Sequence, residues 1–71
     1  MYFNEIIGNE IRNRRVERGW SMLKLASEVG ATGDGTTVRA WERGANAPSA
    51  YFLCKLADAF ECSVDELLGR K

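Results

Sequence analysis

Between Ala31 and Gly44 the chain reads ATGDGTTVRAWERG, a run whose residue types point to phosphate. Gly33 and Gly35 bracket Asp34, and Thr36 and Thr37 follow. A loop entering a helix presents unpaired N–H groups and the positive end of the helix dipole, and together these hold an anion. The competing reading is that the glycines only make a turn and Asp34 only caps the helix behind it. A second segment crowds Arg12, Arg14, Arg15 and Arg18 together with only Glu17 among them. The acids gather late, at Asp58, Glu61, Asp65 and Glu66. Ten basic and ten acidic side chains cancel, which by itself argues against a polyanionic partner. Charge distribution matters more than the sum for steering one, however.

Other chemistries are poorly served. The chain has no histidine, so a zinc site would need cysteines and carboxylates alone, at a spacing Cys54 and Cys62 do not offer. Both cysteines sit among apolar neighbours and are read as reduced core residues of a cytosolic, cytoplasmic protein rather than a disulfide or metal pair. The opening MYFNEIIGNE carries acids inside its apolar stretch and no basic start, unlike a signal peptide. No apolar run approaches the length of a membrane span. At 71 residues, with 45% hydrophobic and 28% charged, the chain suits one small globular domain spanning residues 1–71.

The elements that must position these residues read as five helices and no strand. The first runs from about Phe3 to Arg18, with Ile7, Ile11 and Val16 as its apolar side and Arg14 where an apolar residue would suit the period. Gly19 ends it. Ser21 caps a second helix filled by Leu23, Leu25, Ala26 and Val29, and Gly30 stops it. Asp34 is the cap candidate for a third, Thr36 to Arg43, with Val38 and Trp41 on one face and Gly44 behind. Ser49 caps a fourth, whose stripe is Phe52, Leu53, Leu56, Ala57 and Phe60. Ser63 and Glu66 form a capping box, opening a short fifth helix with Val64, Leu67 and Leu68, closed by Gly69.

In order, IIGNEIRNRRVERGWS, LKLASEVG, TTVRAWERG and PSAYFLCKLADAFECSVDELL resemble the lambda-repressor-like (Xre-type) helix-turn-helix family over nearly the whole chain. The resemblance implies an all-α, five-helix DNA-binding domain. In it the second and third helices form the helix-turn-helix and the third lies in the major groove of double-stranded DNA. It further implies a non-enzymatic transcriptional regulator, without cofactor, acting as a homodimer on DNA. Three departures stand out. Met22 occupies a place where the family usually has a glutamine that contacts DNA. The turn from Gly30 to Asp34 looks longer than usual, which leaves the start of the third helix open. Arg14 replaces a usually apolar or small residue.

The resemblance also assigns residues. Arg15 and Glu42 are read as a structural ion pair tying the first helix to the end of the third, each costly to bury alone. Thr36 and Thr37 are placed to reach phosphate or base edges, and Arg39 to make a bidentate contact to guanine. Ala40 can offer only an apolar contact. Arg43 and Asn46, and Ser21 and Lys24 at the start of the second helix, suit phosphates. For each of these the alternative is a merely solvated side chain. Arg12 and Arg18 are read as solvated, with phosphate contact as the alternative, Arg14 as snorkelling over the core edge, and Trp41 as core.

Two rivals remain. The segment GDGTT also looks like the nucleotide-binding segment of chaperonins, but an ATPase needs a pocket, magnesium carboxylates and a base, and no Walker lysine is present. No nucleotide partner is therefore assigned, and any phosphate held is that of DNA. The second rival is a protein-interaction module on the same fold, favoured by the neutral charge, Met22 and Ala40.

Overall fold

A computed structural model describes residues 3–31 and 34–70, which form five α-helices. Their starts are set by local chemistry. Ser21 accepts the Lys24 N–H at 3.0 Å and opens α2, Met22–Val29. Ser49 accepts from Phe52 at 3.3 Å and opens α4, Ala50–Phe60. Ser63 and Glu66 exchange hydrogen bonds of 3.0 and 2.8 Å at the start of α5, Val64–Leu67. Each hydroxyl or carboxylate satisfies a backbone donor that the first turn of a helix leaves unpaired. α1, Phe3–Glu17, runs out at Gly19, and α2 at Gly30, both in the left-handed region that an L side chain disfavours.

α3, Thr36–Glu42, starts at Thr36 as the sequence leads one to expect, but its cap differs. Its N-cap is Gly35, at φ +92, not Asp34. Asp34 stands one residue earlier and accepts from both the backbone N–H and the hydroxyl of Thr36. The longer turn thus shifts the cap by one position. Gly35 is buried against α2: a Cβ there would lie 3.3 Å from both the Met22 Cβ and the Leu23 nitrogen. Gly33 lies outside the described residues, so its assigned part in the turn does too.

All five helices feed one core: Ile7 and Ile11 from α1, Leu25, Ala26 and Val29 from α2, Val38 and Trp41 from α3, Leu56, Ala57 and Phe60 from α4, and Leu67 from α5. Among the described residues no polar or charged residue is buried as a whole. Phe52 and Leu53 pack at the edge of this core. Three expected core positions are corrected. Val16 and Leu23 are each 57% exposed, and Cys54 is exposed as well. Helical phase explains all three, at about 100° per residue. Val16 falls nine residues after Ile7, about half a turn away, while Leu23 and Cys54 each precede a buried leucine by two and so point about 160° from it. Cys62, by contrast, is half-buried, and desolvation raises its thiol pKa.

Arg14 lies at the edge of the core with 23% of its side chain exposed. Its Nε reaches Glu10 Oε1 at 3.3 Å, one helical turn back, but without the alignment of a hydrogen bond. Arg18 is not solvated as expected. Its guanidinium donates to the Arg14 and Phe60 carbonyls and lies over the rings of Trp20 and Phe60, which themselves stack at 6.1 Å. It thereby fastens the end of α1 to the end of α4.

Candidate nucleic-acid interface

The placement of α3 starts from Gly8. A Cβ on Gly8 would come within 2.4 Å of the Trp41 carbonyl oxygen and 2.9 Å of that of Glu42. α1 and the end of α3 therefore touch backbone to backbone, an approach only glycine permits. Periodicity along α1 does not reveal this, because the constraint comes from another helix.

Beside that contact, Arg15 and Glu42 join the same two helices. Arg15 Nε donates to Glu42 Oε2 at 2.6 Å and its NH2 to Oε1 at 3.1 Å, a bidentate pair. The third arm of the guanidinium donates to the Trp20 carbonyl at 2.8 Å. Only 13% of the Arg15 side chain and 4% of the Glu42 side chain is exposed. The hydrogen bond that Arg15 donates to Glu42 raises the Arg15 pKa against the opposing effect of burial, so the guanidinium stays charged. The pair holds the end of α3 in one orientation and engages both carboxylate oxygens.

With Val38 and Trp41 turned into the core, α3 presents Thr36, Arg39, Ala40 and Arg43 on its opposite face. Thr36, Thr37, Arg39 and Arg43 are exposed, and Ala40 is half-buried. The Thr36 hydroxyl is engaged by Asp34, whose carboxyl these Thr36 contacts hold below the ordinary aspartate range. Thr36 thus leaves its methyl as the group free to meet a partner. Arg39 and Arg43 stand one helical turn apart and line a shallow groove between α1 and α3, together with Arg12, Arg15, Met22 and Glu42.

The remaining sequence-assigned residues, Ser21, Lys24 and Asn46, do not line this groove. Ser21 is exposed, with its oxygen capping α2. Lys24 pairs with Glu28 at 2.8 Å along α2 and lies 6.0 Å over the Trp20 ring. Asn46 is exposed in the loop after α3, where its N–H reaches back to the Ala40 carbonyl. One residue of the site is silent in the sequence, and another reads there as solvated, with phosphate contact only as the alternative. Gly8 left no signal along its own helix. Arg12 was visible as part of a cationic cluster, but not as a residue facing α3.

Among the described residues no group of side chains is arranged to hold a metal ion, and no helix is long and apolar enough to cross a membrane.

A helix-turn-helix family model matches residues 11–67 of this chain. The cryptic phage CTXphi transcriptional repressor RstR of Vibrio cholerae serotype O1 is 34% identical over 64 residues, covering 90% of this chain and 55% of that protein. The chain therefore spans about half the length of the curated relative it matches. Among solved structures, the P22 c2 repressor in complex with a synthetic operator superposes with a TM-score of 0.84 at 31% identity, over 92% of this chain and 96% of that one. The S. venezulae BldD DNA-binding domain superposes with a TM-score of 0.76 at 27% identity, over 93% and 96%.

Proposed function

The chain belongs to the lambda-repressor-like (Xre-type) helix-turn-helix family, and from that membership we propose that it binds double-stranded DNA as a transcriptional regulator with α3 in the major groove. One observation carries the reading. The inner face of α3 is fixed by Gly8, Val38, Trp41 and the Arg15–Glu42 pair, while its outer face leaves two guanidiniums exposed. A rigid helix with unoccupied donors on one face is what reading base edges requires.

The outer residues divide by reach. Arg39, in the middle of the helix, offers two parallel donors to one guanine. Thr36, Thr37 and Ala40 offer methyl groups to thymine. Arg43 and Asn46, past the helix end, and Ser21 and Lys24, at the start of α2, meet phosphates and fix register without reading sequence. A single unit of this kind covers one half-site, so the functional form is a homodimer on a palindromic operator.

Selection of bound sequences from a random duplex pool tests the reading and yields the site. On that site Arg39→Ala should relax preference at one position, by about 1–3 kcal/mol. Arg43→Ala should weaken selected and scrambled duplexes alike. If Arg39→Ala lowers both affinities equally, Arg39 is a phosphate contact and the groove assignment is wrong. If the wild type shows no salt-dependent binding to any duplex, the fold serves protein interaction instead.

A further inference from the structure

We propose that Arg12, on α1, joins Arg43 at the C-cap of α3 in holding the DNA backbone, on the rim of the groove where Arg39 meets a base. The inference rests on the DNA-binding reading above and adds to it a residue from outside the helix-turn-helix.

The argument is an account of where the cations go. Arg14 is paired with Glu10, Arg15 with Glu42 and Lys24 with Glu28. Arg18 is bonded to two carbonyls, and Lys55 lies over the Tyr51 ring. Among the described residues this leaves four arginine side chains with neither an ion pair, a hydrogen bond nor a ring contact: Arg12, Arg39, Arg43 and Arg70. Three of the four line the same groove. Its one carboxylate, Glu42, has both oxygens bound by Arg15 and is almost fully buried, so it neutralises none of the three.

Like charges brought together on a folded surface repel one another, by an amount that falls with distance and salt. With Arg39 directed at a base, the unpaired guanidiniums of Arg12 and Arg43, over a buried and already neutralised pair, are complementary to the phosphates beside that base. Arg12 comes from α1, and the Arg15–Glu42 pair fixes α1 to α3. The distance between the base-reading helix and this backbone contact is therefore fixed as well. Arg12 carries no sequence information in this role. It sets how α3 is seated.

The test measures binding to selected and scrambled duplexes over a range of salt. Arg12→Ala should lower the slope of log affinity against log salt by about one unit. It should weaken both duplexes by the same factor and leave the denaturation midpoint unchanged. Arg12→Lys, which keeps the charge, should keep the slope. Arg70→Ala removes the same formal charge outside the groove and should bind as the wild type does. A single neutral methylphosphonate, moved along the selected duplex, should weaken the wild type at one flanking phosphate where Arg12→Ala is insensitive. A wild-type slope in Arg12→Ala, or an equal loss in Arg70→Ala, overturns the proposal while leaving the DNA-binding reading intact. A wild type with no salt-dependent binding overturns both.

Discussion

Replacing Gly8 by alanine sets two effects of opposite sign against each other. Gly8 sits inside α1, and alanine in a helix interior is favoured over glycine by about 1 kcal/mol. On propensity alone Gly8→Ala stabilises. The new Cβ, however, would lie 2.4 Å from the Trp41 carbonyl oxygen, against an ordinary carbon–oxygen contact of about 3.3 Å. Relief needs a shift approaching 1 Å, and the obstructing atoms are backbone. The end of α3 cannot withdraw without stretching the Arg15–Glu42 pair at 2.6 Å and lifting Trp41 from the core. Overpacking costs ~1–3 kcal/mol, and with so little freedom to relax the upper part of that range applies. The net change is a destabilisation of ~1–2 kcal/mol, lowering the melting temperature of a domain this size by roughly 5–15 °C. Urea denaturation of Gly8→Ala beside Asn9→Ala isolates the effect, since Asn9 is exposed on the same helix and shows the propensity gain alone. If both variants gain stability, α1 and α3 do not approach as closely as the structure has them.

Arg15→Ala should cost about 3–5 kcal/mol by leaving Glu42 buried and unpaired, against little for the exposed Arg12→Ala; equal denaturation midpoints for the two variants would remove this account of the pair. A thiol reagent at neutral pH should label Cys54 quickly and Cys62 slowly, because burial raises the Cys62 pKa and suppresses its thiolate. Two rapid equivalents would contradict the burial of Cys62, and none would contradict the exposure of Cys54.

The parts of this fold that the sequence made legible are those whose causes are local. Ser21, Ser49 and the Ser63–Glu66 box cap the helices assigned to them because a cap is a bond spanning two or three residues. Gly19 and Gly30 end helices because their φ is set by their own missing Cβ. Val16, Leu23 and Cys54 were misplaced because being apolar is not the same as being in phase with a stripe. Gly8 is silent in the sequence and Arg18 reads wrongly as solvated because their causes lie elsewhere in the chain: Gly8 answers to α3, and Arg18 donates to a carbonyl 42 residues away. α3 starts at Thr36 as expected, but its cap is Gly35 and not Asp34, because a longer turn alters which residue meets the helix, and composition does not count turn residues. The Arg15–Glu42 pair, 27 residues apart, became legible only through the family resemblance.

The net charge of zero had weighed against a nucleic-acid partner, and the structure shows why that sum misleads. A charge paired within the fold contributes a short-range dipole, whereas an unpaired one contributes its full field. Arg15 and Glu42 cancel each other at 2.6 Å, and Arg14 and Lys24 have their own partners. Asp58, Glu61 and Asp65 lie on α4, its cap and α5, which contribute no residue to the arginine groove. At physiological salt the Debye length is about 8 Å, while the domain measures 28 × 24 × 22 Å. Acids beyond that screening distance subtract little from the field at Arg12, Arg39 and Arg43. What a phosphate backbone meets is the local set, and the salt slope of binding counts phosphate contacts rather than net charge. A neutral chain can therefore bind a polyanion with the salt dependence of a basic one, provided its fold pairs the wrong charges with each other and leaves the right ones on a single face.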